Sequence, residues 1–530
     1  MKSDLLKSIT VVFLLEVIAV LGVTSIFDMN ILFPRADDAA DYAQIAQQIT
    51  NGKGFTSRTM NLPGIAYLHE KNYLYEKDWP SILRFPLPSL IMAGLFFILK
   101  DWGLAISMYS CIFYLLSIPA VFLLSKKLFN IKTAIISSII FTFNVQVFGA
   151  SCVGMTEPCS TFLLLILIFM LIKSTSNNLF YYLSGITLGL FYLNRYTALI
   201  FLIPIIIFIY LSNHKSKYSN ILKFFFSFFA VIFPWLLRNY LLCNDPFFSL
   251  GAIVGLLGRT RWFPEMFNEP CYISPVMFIL MHPKEFIVKW IIQFGHFFEI
   301  FPQIGDLYYI FPFFFIGIFL KYNRETDRIK YLFLSLLLIQ VLFLNFYVSD
   351  PRFYSHFIPL IIIFGTACFL HFFRSLNIRN NFLQRFLMAV FICISVFPYF
   401  FRNNPQFYHL FMGKKNELSN RPVSAEISNF EYIKKYVKQG DIIAARGSAC
   451  TLLLTDCKII SIPSSPELIE PIEKKYGISI VGIYLAKDGW YREEGDIWEK
   501  IFRSKKDEII GYKLKKVFET GELFYLKNDG

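Results

Sequence analysis

Long apolar runs alternate with short polar connections along this chain, and the spacing predicts a membrane-embedded helical bundle. Runs near the twenty or so residues that a bilayer requires fall at 9–27, 103–125, 133–150, 158–172, 179–194, 197–212, 220–237, 307–320, 331–347, 354–373 and 386–401. Together they predict about eleven transmembrane helices. A twelfth run, "FPLPSLIMAGLFFIL" (85–99), is shorter and opens on prolines, so it is expected to lie in the interface. After about Met412 the pattern changes. "GDIIAARG", "CKIISIP", "ISIVGIYL" and "KVFETGELFYLK" read as short strands, with helical periodicity in "ISNFEYIKKYVKQ" and "SPELIEPIEKKYG". The expected fold is an all-α polytopic membrane domain over residues 1–405, then a small α/β domain over 406–530.

Charge orients this bundle. One set of connections collects the basic residues: Lys2 and Lys7; Lys126, Lys127 and Lys132; Lys173; Lys215, Lys217 and Lys223; Lys321, Arg324, Arg328 and Lys330; Arg374, Arg379 and Arg385. The positive-inside tendency puts them in the cytoplasm, leaving segments 28–102 and 238–306 and the C-terminal domain outside. No small-x-small cleavage site follows the first run, so it reads as a retained span. A multi-pass membrane protein is expected, with Met1 cytoplasmic and Gly530 external.

Composition agrees: the chain is 55% hydrophobic and only 17% charged, where soluble domains carry about a quarter. A net charge of +13 would suit nucleic acid, but no basic tract with interleaved aromatics lies in a polar setting, so no such partner is expected. The nine cysteines form no CxxC pair and no metal-ligand spacing with histidine. Cys450 and Cys457 share the external domain, and their spacing leaves a disulfide open.

Against this background, "RADDAADYAQIAQQITNGKGF" (35–55) is unusual. Tyr42, Ile45, Ala46 and Ile49 have the spacing of an amphipathic helix, stopped at Asn51-Gly52, with Asp37, Asp38 and Asp41 at its start. One aspartate would suffice as an N-cap. Three imply another task for at least one of them. Other ionisable residues gather at the same predicted external ends: Arg84, Glu157, Arg195, Arg238 beside Asn239, and Asp350 with Arg352. Each arginine alone could be a membrane anchor. As a set mixed with acids, they predict a shared external cavity in which a carboxylate takes a proton and arginines clamp a phosphate.

These residues carry a resemblance. "DAADYAQIAQQITNGKGF", "RFPLPS" at Arg84, "TEP" at Glu157, "NRYTAL" at Arg195, "PWLLRNY" at Arg238 and "DPRFY" at Arg352 occur in the order of the corresponding elements of GT-C integral-membrane glycosyltransferases. The chain resembles in particular the bacterial branch near the protein O-mannosyltransferases and the lipid A aminoarabinose transferases. It departs from that pattern in having Asp37-Asp38 for the usual Asp-Glu pair, and Phe85 for the first proline of a Pro-Pro pair. The resemblance implies the GT-C fold, a polyprenyl-phosphate-linked sugar donor, inverting transfer, and an external active site acting on a glycan, lipid A or protein acceptor. By its spacing to Tyr42, Asp38 is the expected general base, with Asp37 and Asp41 as competitors and Glu157 beside it. Tyr42, Arg84, Arg195, Arg238 and Arg352 are the expected substrate-binding residues. A divalent metal, Mg²⁺ or Mn²⁺, is compatible with the carboxylates, but no ligand set is readable. A transporter or lipid flippase is the rival class, although the charges sit near one face and no internal repeat is visible. A subunit that kept the fold without the chemistry is a third.

Overall fold

The computed structural model describes residues 10–21, 37–73, 78–212, 216–257, 272–347, 350–376, 380–403, 428–429, 431–446, 456–486, 497–519 and 521–528. The two termini, Cys450 and the expected domain boundary near 405 lie outside these residues. Each of the eleven apolar runs falls largely on helix over its described part, although 133–150 breaks at Phe143 and Asn144 and 307–320 becomes helical only from Phe311. Five single helices are long and apolar enough to cross a membrane: Trp102–Leu128, Glu157–Ser174, Lys217–Cys243, Pro351–Ser375 and Asn381–Pro398. Ile131–Thr142 with Val145–Cys152, and Pro283–Asp306 with Phe311–Phe319, add two spans if each bent pair is one. Thr10–Leu21, Pro86–Leu99, Leu179–Asn194 and Tyr196–Ser212 are shorter apolar helices.

Packing in the bundle depends on small residues. The Leu179–Asn194 helix lies against Lys217–Cys243, and a Cβ on Gly185 would meet the Phe224 carbonyl oxygen at 2.2 Å. Only glycine permits that approach. Polar side chains tie helices where lipid offers no partner. Buried Asn194 accepts from the Tyr109 hydroxyl at 2.9 Å and donates to Ser160 Oγ at 2.8 Å, crosslinking three helices.

The polar regions do not form a separate bead. Strands β1 (Thr56–Ser57), β2 (Thr59–Met60) and β3 (Trp79–Pro80) lie in the polar segment after the first apolar run; β4 (Ile442–Arg446), β5 (Lys458–Ser461), β6 (Ile480–Leu485), β7 (Glu508–Ile509), β8 (Tyr512–Val517) and β9 (Leu523–Lys527) lie in the C-terminal region. The large sheet runs β2-β5-β4-β6-β9-β8-β7. Its first four strands are parallel, with Thr59 opposite Ile459, and the rest are antiparallel. This first polar segment thus supplies an edge strand. One apolar core joins the two regions, mixing Met60, Leu62, Ile65 and Trp79 with Ile460, Ile483, Leu523 and Tyr525.

The expected strands 440–447, 457–463 and 478–485 appear in place, as does the Ile469–Tyr476 helix closed by Gly477 in the left-handed conformation. Segment 516–527 is instead a hairpin, joining the end of β8 to β9. The two-residue strands, too short to carry a period, were not expected, nor was the Ile497–Ser504 helix, although Ile497, Trp498, Ile501 and Phe502 give it an apolar face.

Because the core is shared, Ile483→Ala, costing about 2–5 kcal/mol, should raise protease cleavage within 56–82 and in the C-terminal sheet together. Increased cleavage in the sheet alone, by mass spectrometry of limited digests, would contradict a common core.

Candidate active site

The acidic helix spans Asp37–Thr50 and ends where expected, with Gly52 and Gly54 at positive φ and the Lys53 N–H donating to the Gln48 carbonyl at 2.9 Å. Ala39, Ala40, Ile45 and Ala46 are buried against the bundle. Gly154, at φ +77°, makes room for them: a Cβ there would clash with Ile106 at 2.5 Å and touch Ala39. The polar face is buried too. Gln44 and Gln48 are covered by the chain running through β1 and β2, with Gln44 Nε2 donating to Ser57 Oγ at 2.7 Å and Gln44 Oε1 accepting from the Arg58 N–H at 2.9 Å.

Asp38 and Asp41 lie three residues apart, hence on one face of this helix. Arg84 bridges them. Its Nη1 is 2.7 Å from Asp38 Oδ1, while Nε and Nη2 donate to Asp41 Oδ2 at 2.9 and 2.5 Å. Arg84 reaches there because Phe85 is extended and Pro86 starts the Pro86–Leu99 helix immediately after it. Asp38 Oδ2 meets Arg352 Nη1 at 3.3 Å. Arg352 lies in the 3₁₀ turn Pro351–Phe357, which Asp350 caps by accepting from the Arg352 N–H at 2.8 Å.

A second pair lies alongside. The Glu157–Ser174 helix begins at the "TEP" sequence, and Glu157 Oε1 accepts from Arg195 Nη2 at 2.6 Å. Arg195 sits at the break after Asn194, in extended conformation, and also donates to Thr156 Oγ1 at 3.2 and 3.1 Å. Arg195 and Arg352 both stack on the Phe353 ring, each 5.7 Å from its centroid. Glu157 Oε2 is buried without a hydrogen-bond partner, and Arg352 Nε likewise lacks an acceptor.

These contacts set the electrostatics. Burial pushes the Asp38 carboxyl up, but Arg84 and Arg352, with Arg195 beyond them, outweigh it and hold the group at about 2. Burial pushes the Tyr42 phenol well up, so it stays protonated under the Arg84 guanidinium, 5.5 Å from its ring.

Of the expected site residues, the fold brings Asp38, Asp41, Tyr42, Arg84, Glu157, Arg195 and Arg352 together. The Asp37 side chain lies outside the described residues. Arg238 is set apart: it donates to the carbonyls of Ser81 at 2.8 Å and Phe55 at 3.3 Å and stacks on Trp235 at 4.6 Å, with no carboxylate paired to it among the described residues. Among those residues no group of three or more His, Cys, Asp and Glu side chains is arranged to hold a metal ion; arginines take the carboxylates instead. Thr59, Thr156 and Phe353 contact the cluster without having been singled out. Phe353 was visible inside "DPRFY", whereas nothing local marks Thr59.

A helical bundle whose span-end arginines and acids converge on the helix after the first apolar run defines a class, and comparison with known proteins agrees with it. The chain has the GT-C fold of integral-membrane glycosyltransferases. ArnT from Cupriavidus metallidurans bound to undecaprenyl phosphate superposes with a TM-score of 0.59 at 8% identity, covering 97% of each chain. The Archaeoglobus fulgidus oligosaccharyltransferase AglB, in complex with an inhibitory peptide and a dolichol-phosphate, gives 0.55 at 11% identity over 89% of this chain and 69% of its own. Residues 80–237 match the family model for dolichyl-phosphate-mannose-protein mannosyltransferase. No curated protein matches the chain in sequence.

The Glu157–Arg195 pair is almost fully enclosed, at 3% and 12% side-chain exposure. Removing one partner from such a pair costs about 3–5 kcal/mol, chiefly from the charge left behind. Glu157→Ala should therefore lower the thermal midpoint in detergent more than the double replacement Glu157→Ala/Arg195→Ala does. A double replacement that loses the sum of the two single losses would show the residues to be independent.

Proposed function

We propose that this protein transfers a sugar from a polyprenyl-phosphate-linked donor to a glycan, lipid or protein acceptor at the external face of the membrane, with Asp38 as general base. The observation that carries this reading is Asp38 held between two guanidinium groups, one firmly anchored and one loosely. Arg84 spends its donors on both Asp38 and Asp41. Arg352 makes a 3.3 Å contact to Asp38 and a longer, 3.7 Å approach from Nε to Asp350, short of a hydrogen bond, and is 40% exposed.

In this reading the donor phosphate takes Arg352, with Arg195 behind the same Phe353 ring. Asp38 takes the acceptor proton. The acceptor oxygen bonds to the anomeric carbon with inversion, and the carbon–oxygen bond to the phosphate breaks, leaving its electron pair on a phosphate oxygen that the arginines stabilise. Glu157 Oε2, buried and unpartnered, is placed to accept a hydrogen bond from a substrate hydroxyl. The cytoplasmic N-terminus and external C-terminus belong to the same reading, and an active reporter fused after residue 530 only on the cytoplasmic side would overturn that orientation.

The resting ion pairs give the pH dependence a sign. A carboxyl held at about 2 is ionised throughout the neutral range, so kcat/KM, which reports free enzyme, should hold level into acid until pH nears that value. When the phosphate takes Arg352, Asp38 loses a cation and gains an anionic neighbour, so its pKa rises and the acid limb of kcat lies at higher pH. Asp38→Asn should cost about 10²–10⁴-fold in turnover while undecaprenyl phosphate still binds. Near-normal turnover in that variant would remove Asp38 from the role.

A further inference from the structure

The ion-pair cluster has an exit toward the C-terminal sheet. Asp41 spends Oδ2 on Arg84, and its Oδ1 accepts from the Thr59 hydroxyl at 2.9 Å. That hydroxyl has one proton, and an ionised carboxylate only accepts, so the proton belongs to this bond. Ser57 Oγ, 3.2 Å from Thr59 Oγ1, donates instead to the Thr59 carbonyl at 2.8 Å, which leaves no competitor for Asp41.

Thr59 is also the first residue of β2, pairing with Ile459 in β5. Its neighbour latches the same junction from both sides. The Arg58 carbonyl accepts from the Ile459 N–H at 2.8 Å, and its guanidinium reaches Asp456 at 2.6 Å and Gln47 of the acidic helix at 2.7 Å. A displacement of the sheet edge is therefore carried to Asp41 through one short backbone segment.

We propose that Thr59 is a positioning residue for the transfer, through which the C-terminal sheet sets where Arg84 holds Asp38. The proposal rests on the preceding reading of Asp38 as base. The Thr59 bond fixes the rotation of the Asp41 carboxylate so that Oδ2 faces Arg84, which places Nε and Nη2 on that one oxygen and leaves Nη1 for Asp38. Without the hydroxyl, the carboxylate can turn both oxygens onto the guanidinium fork. A two-oxygen, two-nitrogen pairing is the favoured arginine–carboxylate geometry. Arg84 then turns toward Asp41 and Nη1 withdraws from Asp38, which retains only the weaker contact to Arg352. Asp38 becomes easier to protonate and less well aimed.

The test uses the full chain in detergent, with Thr59→Val to remove the hydroxyl and Thr59→Ser to keep it. The first readout needs no turnover: a carbodiimide modifies protonated carboxyls, so the extent of Asp38 modification across pH, by peptide mass spectrometry, follows its protonation. A rise of one pKa unit increases the protonated fraction roughly tenfold at a fixed pH above both values, and Thr59→Val is expected to show at least that while Thr59→Ser follows the unaltered protein. The second readout is turnover of an undecaprenyl-phosphate-linked sugar, where kcat should fall roughly 10- to 100-fold with KM for the donor within about twofold, and serine should restore it. Modification of Asp38 unchanged in Thr59→Val, or raised equally in Thr59→Ser, would overturn the proposal. Loss of the base assignment would appear separately, as turnover surviving Asp38→Asn, without altering the modification result.

Discussion

One guanidinium between two carboxylates is the interaction on which the rest of the site depends. Asp38 and Asp41 share a helix face and repel each other as anions; without a cation between them one would take up a proton. Arg84 removes that conflict with three donors in one plane, something a lysine point charge cannot do. Its direction is settled by the chain itself, since the proline after Phe85 forces extended backbone and starts a helix at once. The acidic helix, the proline-led helix and the 3₁₀ turn bearing Arg352 meet at Asp38, which pairs with Arg84 and Arg352.

How far the site was legible in the sequence follows from the range of each interaction. The acidic helix, its stop at Asn51-Gly52 and the break at Arg195 are local effects of side-chain period and backbone preference, and they stand where the pattern puts them. The grouping of Arg84, Glu157, Arg195 and Arg352 was readable from their common position at one set of span ends. Who pairs with whom was not. Asp41 and Arg84 are 43 residues apart and Asp38 and Arg352 are 314 apart, and nothing local encodes such choices. Arg238 shows the same limit: at span-end level it looks equivalent to the other arginines, yet it meets backbone carbonyls and aromatic faces rather than acids.

The fold was legible to a similar depth. The apolar runs fall on helices, but among the described residues only five single helices, or seven counting bent pairs, are long and apolar enough to cross a membrane, against the eleven expected; the parallel strands of the C-terminal region are short apolar runs bounded by turns. The edge strand β2 is different. Two residues carry no alternation, and its pairing with β5 is specified by contacts beyond it: Gln44 and Gln47 on one side, Ile459 and Asp456 on the other. Gln44 and Gln48 read as a wet helix face, but their amides are consumed by the strand segment that covers them. A polar residue in a sequence marks a need for partners. It does not say whether those partners are water.

The balance of charge gives this arrangement its logic. Asp38, Asp41 and Glu157 face Arg84, Arg195 and Arg352, so the paired cluster is close to neutral, as a partly desolvated site requires. An anionic phosphate cannot be added to such a cluster without taking a guanidinium from a carboxylate. The contacts are graded so that one exchange is easier than the others. Arg195 is held by a 2.6 Å enclosed pair and Arg84 by three bonds, whereas Arg352 has a 3.3 Å contact, a 3.7 Å approach to Asp350 and an exposed side chain. On the proposed reading, the carboxylate that loses its partner in the easy exchange is Asp38, the same group that must then accept a proton. Base strength is thereby withheld until the leaving group is in place. A carboxylate paired only by the rigid arginines would remain as weak a base with the donor as without it.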